Sequence, residues 1–264
     1  GVSLLPHRIA AARRSEESRN VVDYFLQIYG SLPRAGPGSD ALTRRALQMM
    51  PSFPDGPRVL DVGCGPGKQT VELLRSGAST VVALDFLPEM IERVIAEAES
   101  AGVSDRLETV VQDMKEMTFP DSSFDVIWSE GAIYNVGFET GLRKFKELVR
   151  PGGYVAVSEV VWLKPDPPSE VVDFWREYPE IDTVAAKLET IKRNGYTVLG
   201  HFVLPASAWT DQYYDPMEER IAEKERDWRG IPEAEAVLNE ARNEISIFRR
   251  YSDYFSYAFF VMGN

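Results

Sequence analysis

The chain has 264 residues, of which 44% are hydrophobic and 27% charged, with a net charge of −12 at pH 7 and a single cysteine, Cys64. That length buries a core without staples; the acidic balance disfavours a nucleic-acid partner, whose binders carry a basic face; and one thiol allows no internal disulfide. No apolar run reaches the ~20 residues of a membrane span and no charged-then-apolar leader opens the chain, so a soluble, cytoplasmic protein with no membrane partner is expected.

Residues 1–14 mix Pro6, His7 and several arginines and read as a loose arm or a helix. Ser15, Glu16 and Glu17 then read as a cap and first turn, followed by Val21, Val22, Phe25, Leu26 and Tyr29 at helical spacing, with Gly30 and Pro33 ending the helix. A second helix is expected from Ser39 or Asp40 to Met50, stopped by Pro51.

The most informative stretch comes next. Val59, Leu60 and Val62 have strand character, Gly63, Gly65 and Gly67 alternate, and a helix-like run follows from Gln69. A strand, a tight glycine turn and a helix start can bring a polar ligand directly onto backbone. The spacing is not the G-x-G-x-x-G of dinucleotide sites, because Lys68 holds the slot of the third glycine, and the phosphate-loop pattern fails as well.

Strands at 58–62, 79–84, 106–112, 124–129 and 153–160 alternate with helices at 67–76, 88–101 and 139–149. Such alternation predicts an α/β fold, a Rossmann-like doubly wound, mostly parallel sheet with helices on both faces. In such sheets ligands sit beyond the carboxyl ends of the strands. The glycine turn, Asp85, Asp113 and Glu130 all fall at those ends. An acid about 20 residues after the turn, Asp85, suits a ribose diol.

Beyond Trp162 a proline-rich break precedes a helix capped by Ser169 and ending at Trp175, a helix over about 181–193 closed by Asn194-Gly195, and a strand at 196–204. A charged, mostly helical stretch broken at Gly230-Ile231-Pro232 leads to an aromatic final strand. His201 reads as an edge-strand histidine, and no His/Cys/Asp cluster has metal-ligand spacing.

Together, Asp61-Val62-Gly63-Cys64-Gly65-Pro66-Gly67, Leu84-Asp85 with Pro88-Glu89-Met90, Gln112-Asp113-Met114, Phe119 to Ile127 and Arg150-Pro151-Gly152-Gly153 resemble the class I S-adenosylmethionine-dependent methyltransferases. The resemblance spans roughly residues 57–160 and is nearest to the small-molecule branch of ubiquinone and menaquinone C-methyltransferases. It implies a seven-stranded sheet whose last two strands pair antiparallel. It also implies one methyltransferase domain over 1–264: an N-terminal helical lid at 15–52, a core sheet at 57–204 and 251–264, and a helical insertion at 205–250.

The same resemblance gives residue roles. Gly63, Cys64, Gly65 and Gly67 would lie against the methionyl part of the cofactor, their N–H groups meeting its carboxylate, with Asp61 holding the amino-acid end. Asp85 would take the ribose hydroxyls, Phe86 the adenine face, Asp113 the adenine amine, and Met114 the ring. Glu130 would face cofactor or substrate. One of Tyr24 and Tyr29 would reach the site, while Tyr134, Glu159, Trp162, Tyr213 and Tyr214 are candidates for the acceptor pocket. The expected activity is methyl transfer to a small-molecule acceptor by in-line displacement, releasing S-adenosylhomocysteine, in a monomer or homodimer. Two readings stand beside it: an NAD(P)-dependent oxidoreductase, and a cofactor-binding protein without turnover.

Overall fold

The computed structural model of the protein, which describes residues 16–50 and 56–264, builds one sheet from eight strands. They are β1 (Arg58–Val62), β2 (Thr80–Asp85), β3 (Leu107–Val111), β4 (Phe124–Glu130), β5 (Val149–Trp162), β6 (Asp182–Thr183), β7 (Thr197–Val203) and β8 (Phe255–Gly263). The spatial order is β3-β2-β1-β4-β5-β8-β7, with β6 paired to the end of β5. β1 to β5 are mutually parallel, and β8 runs antiparallel to both β5 and β7. Strand order reverses between β1 and β4, so their tips form the switch point where such sheets bind ligands.

The inner strands read as near-continuous apolar runs because both faces are covered: Val59, Leu60 and Val62 of β1 and Val81 to Leu84 of β2 are essentially fully buried. The helices are α1 (Glu16–Ile28), α2 (Asp40–Leu47), α3 (Lys68–Arg75), α4 (Pro88–Ser100), α5 (Phe138–Leu148), α6 (Ser169–Phe174), α7 (Val184–Arg193), α8 (Asp215–Glu225) and α9 (Pro232–Tyr251). Ser39 caps α2, its hydroxyl accepting from the Leu42 N–H.

Three expectations need correction, and three fall outside the described residues. The sheet has eight strands rather than seven, because Asp182 and Thr183 leave the expected 181–193 helix to pair with Val161 and Trp162. That helix begins at Val184, where the Thr183 hydroxyl accepts from the Ala186 N–H. Ser169 is not a cap: Pro168, at φ −54 and ψ 146, occupies that place and Ser169 is already helical. The Ser15 cap, the arm at 1–14 and the Pro51 stop lie outside the described residues.

Between β7 and β8 the chain makes one helical turn (Ser207–Trp209), then a wide π-type turn (Thr210–Tyr214) into α8. Such turns are frequent at functional sites. Here it carries Tyr213 and Tyr214 with both side chains buried.

Gly67, at the start of α3, shows how tightly the glycine turn is packed. Its φ is +93°, and a Cβ there would stand 2.3 Å from Val94 Cγ2 and 2.9 Å from Val94 Cα on α4. Gly67→Ala should therefore lower stability by about 1–3 kcal/mol, the usual cost of overpacking a closed core, read as a fall in the urea midpoint at unchanged m.

Candidate functional site

A cleft of about 1140 Å³, counting its open mouth, lies over the tips of β1, β2 and β4. One wall is the glycine turn, Asp85 to Leu87 and Gln112 to Lys115; the other is Glu130 to Asn135; Phe25, Tyr29 and the strap from Arg34 to Pro37 close the top. Of the ten residues singled out in the sequence, Gly63, Cys64, Gly65, Asp85, Phe86, Asp113, Met114 and Glu130 line this cleft. Asp61 and Gly67 do not.

Asp61 is fully buried beneath the turn, where Oδ2 accepts from Thr70 Oγ1 at 2.6 Å and Gln69 Nε2 stands 3.5 Å from Oδ1. Burial pushes its carboxyl up to about 7, with the Thr70 bond pulling the other way. Its contacts thus fasten the turn to α3 from inside.

The donors of the turn are also spent within the protein. The N–H groups of Gly63 and Cys64 donate to the Leu84 carbonyl (2.8 and 3.0 Å), Gly65 donates to Asp85 Oδ2 (3.0 Å), and Gly67 donates to the Cys64 carbonyl (3.1 Å). What the turn offers a ligand is room rather than free N–H groups, contrary to the expectation of an anion cradle. A Cβ at Gly63 would meet Ala132 Cβ at 2.4 Å, so part of the glycine requirement is packing. Cys64 is buried, and burial raises its thiol well above the ordinary value, which suits a small turn residue rather than a nucleophile.

Asp85 ends β2. Its Oδ1 accepts from the Leu87 N–H at 3.0 Å and its Oδ2 from Gly65, so the carboxylate joins the glycine turn to the start of α4. An ionised carboxylate has about four acceptor positions, and the Phe86 N–H draws on a third, so one remains for a ligand. Burial raises this group to about 6 against those backbone bonds. Asp113 follows β3 and lines the cleft, and its Oδ1 accepts from the Lys115 N–H at 2.9 Å. Met114 is buried beside it.

Glu130 closes β4. Its Oε1 accepts from Thr43 Oγ1 (2.6 Å) and Trp128 Nε1 (2.9 Å), and its Oε2 from Arg34 (3.3 Å). It therefore fastens α2 and the 34–37 strap to the sheet. Arg34 is buried, held also by Asp40 Oδ1 (2.6 Å) and Gln212 Oε1 (3.0 Å), and brings a cation to the cleft. Sequence reasoning missed Arg34, because a lone arginine between Pro33 and Gly36 carries no periodic signal. It missed Asn135 as well, whose Oδ1 is buried without a hydrogen-bond partner.

Among the other candidates, Tyr29 lines the cleft while Tyr24 packs edge-on against Trp228 at 5.0 Å. Tyr134 lines it too. Tyr213 and Tyr214 line a second, narrower chamber that shares Ala35, Gly36, Pro37, Gly131 and Tyr134 with the first. Glu159 reaches neither: it is buried against Lys187 and Tyr178. Trp162 lines neither, and His201 is exposed on the edge strand. Among the described residues no cluster of three His, Cys, Asp or Glu side chains is placed to hold a metal, and no helix is long and apolar enough to cross a membrane.

Residues 59–153, which include the strand tips around the cleft, match a family model described as a methyltransferase domain. The chain is similar to demethylmenaquinone methyltransferase of Mycolicibacterium gilvum, 37% identical over 118 residues, 44% of this chain and 46% of that protein. It is similar to 27-O-demethylrifamycin SV methyltransferase of Amycolatopsis mediterranei, 31% identical over 127 residues, 48% of this chain and 46% of that protein. These matches span less than half the length of the relatives. Among solved structures, a SAM-dependent methyltransferase from Geobacter sulfurreducens in complex with S-adenosyl-L-homocysteine has the same fold, with a TM-score of 0.79, 19% identity, and 91% of this chain and 97% of that chain covered.

Proposed function

We propose that this protein, which carries a methyltransferase domain over residues 59–153, transfers a methyl group from S-adenosylmethionine to a small-molecule acceptor. The observation that carries the reading is the convergence of Gly65, Asp85, Asp113 and Glu130 on one cleft at the switch point of the sheet. Two features of the cleft fit the cofactor. Asp85 retains an acceptor position for a ribose hydroxyl, and Asn135 Oδ1 is a buried acceptor in want of a donor such as an ammonium.

In this reading Asp85 holds the ribose, Phe86 and Met114 sandwich the adenine, and Asp113 accepts from its amine. Arg34 and Asn135 take the carboxylate and ammonium of the methionyl end, a role the internally bonded N–H groups of the turn cannot fill. Asp61 and Gly67 act beneath the site, holding the turn. The bound cofactor supplies an already activated methyl group on a sulfonium and leaves as S-adenosylhomocysteine. The protein's work is then alignment, which by itself supplies much of such a barrier reduction. The 15–52 segment, over its described part, serves as a lid: Thr43 and Arg34 hold it to Glu130, and Arg93 donates to the Gly30 and Leu32 carbonyls. A closed strap keeps water from the sulfonium.

The test is calorimetric titration of the protein with S-adenosylhomocysteine and, separately, with NADH. Micromolar binding of the first alone is expected, and binding of NADH alone would overturn the reading in favour of an oxidoreductase. A second variant probes the ribose contact. Asp85→Ala should weaken S-adenosylhomocysteine by about 1–3 kcal/mol, the cost of buried hydroxyls left unpaired. Unchanged affinity in that variant would remove Asp85 from the site.

A further inference from the structure

Glu244 of α9 is an acid on the buried side of its helix, only 4% exposed. Its Oε1 accepts from Tyr213 (2.9 Å) and Tyr214 (3.2 Å); among the described residues its Oε2 accepts from Tyr29 alone (3.2 Å). Of these three phenols only Tyr29 also lines the cleft. The chamber beside Glu244, walled by Trp175, Trp209, Tyr213 and Tyr214, holds about 20 Å³, room for one water and no ligand. The direct route from a molecule in the cleft to the carboxylate is therefore the Tyr29 hydroxyl.

A phenol with a carboxylate on one side and a ligand site on the other is built as a proton relay. Burial holds the Tyr29 hydroxyl well above its ordinary value, so it stays protonated and gives up a proton only as it receives one. Burial also raises Glu244, to about 7, against the bonds from its phenols, and a base near neutrality suits proton removal at working pH. The groups that face it are Tyr29, Tyr213 and Tyr214, Tyr134, Tyr257 of β8 and Glu240 of its own helix, all neutral or acidic. Arg34, the cation at the cleft, is engaged by Glu130 and Asp40. The rings of Phe25, Tyr29 and Tyr134 along the cleft suit a flat, aromatic acceptor. A phenolic hydroxyl also lies within reach of a carboxylate base, whereas an aliphatic alcohol holds its proton too tightly.

We infer that the methyl acceptor presents an aromatic hydroxyl to Tyr29, and that Tyr29 and Glu244 carry its proton away. The inference rests on the methyltransferase reading above. The hydroxyl oxygen bonds to the methyl carbon as the carbon–sulfur bond breaks, and that bond's electron pair stays on sulfur. The hydroxyl proton passes to the Tyr29 oxygen while the Tyr29 proton passes to Glu244 Oε2. The products are an aryl methyl ether, the thioether S-adenosylhomocysteine and a protonated Glu244. Once the ether leaves, Glu244 returns its proton to solvent through Tyr29. Tyr29 touches the acceptor, and Glu244 acts through it.

The test pairs phenol, protonated at neutral pH, with thiophenol, of nearly the same shape but largely an anion there. Each is offered to the whole protein with S-adenosylmethionine. Wild-type transfer to phenol should rise with pH through about 7, as Glu244 ionises, and then level off. Tyr29→Phe and Glu244→Gln should each lose at least about a hundredfold in kcat with phenol, the lower range of a general-base contribution, and Glu244→Gln should flatten the pH profile. Transfer to thiophenol needs no base and should fall by no more than about threefold, because alignment is kept. S-adenosylhomocysteine affinity, read by calorimetry, should stay that of the wild type in both variants. In the infrared, the difference between wild type and Glu244→Gln should show a protonated-carboxyl band that grows as pH falls through about 7 and shifts in Tyr29→Phe. Equal losses on the two probes mean a structural role and overturn the inference. Phenol transfer that survives either variant, a missing carboxyl band, or transfer to neither probe by a protein that binds S-adenosylhomocysteine overturns it as well. Failure to bind S-adenosylhomocysteine sinks the methyl-donor reading itself, and the inference with it.

Discussion

Lys187→Met should destabilise the protein by about 3–5 kcal/mol at pH 8, the cost of leaving a buried charge without its partner. Lys187 on α7 donates to Glu159 Oε1 at 2.9 Å and to the Glu180 carbonyl at 2.7 Å, and both ionic side chains are almost wholly buried. The ammonium also stands 4.4 Å from the centre of the Phe138 ring. Glu159 lies toward the end of β5, opposite Ala258 of β8, with its side chain fully buried. Burial already pushes the Glu159 carboxyl up, held back by Lys187 and the Tyr178 hydroxyl. Without Lys187 it rises further, and the variant escapes part of its penalty by protonation. The loss should therefore shrink as pH falls from 8 to 5.5. Adding Glu159→Gln should recover much of it. Urea unfolding of the two variants at both pH values measures this. A loss under 1 kcal/mol at pH 8 would mean that the pair is solvated in solution, as surface pairs are.

The same pair marks where sequence reading stops. The strand–turn–helix at 58–75 and the acids at strand tips are local signals, because each depends on residues adjacent in the chain. Those elements appear within a residue or two of expectation. Glu159 sits among Val157, Val160 and Val161, and its terminal position in the expected strand suggested a pocket residue; its partner lies 28 positions away. β6 is two residues long and pairs with the stretch of β5 that runs on past the end of β4.

Glu244 was legible in principle. On α9 the buried stripe runs Ala234, Val237, Leu238, Ala241, Ile245 and Phe248, and Glu244 falls three residues after Ala241 and four before Phe248. An acid on the apolar stripe of an amphipathic helix is a conflict between pattern and residue, and such conflicts gather at functional sites. The neighbouring Glu233, Glu235 and Glu240 hid it, since the first half of the helix is acidic on its exposed face as well.

Four buried acids, Asp61, Asp85, Glu244 and Glu159, should make the ligand-free protein more stable in mild acid, the first three by roughly 5 kcal/mol between pH 8 and pH 5.5, against the usual loss of carboxylate interactions. Burial, the largest cause in each, raises Asp61 to about 7, Asp85 to about 6 and Glu244 to about 7, from ordinary values of 3.8, 3.8 and 4.5. The folded protein thus binds protons between those limits that the unfolded chain does not. Stability contributed by such groups is fully present below the unfolded values and is lost as pH rises through about 6–7. The midpoint of urea unfolding should rise on acidification, read above the sequence pI of about 4.8. Relief of overall negative charge acts in the same direction, so Asp61→Asn separates the two. The amide keeps an acceptor for Thr70 but no longer titrates, and the pH slope should flatten. A slope unchanged in Asp61→Asn would assign the effect to net charge or to the other three acids. Ligand binding should move oppositely, because Asp85 must be ionised to keep its free acceptor position for a ribose hydroxyl. S-adenosylhomocysteine affinity should then fall as pH drops through about 6 while the protein that binds it grows harder to unfold.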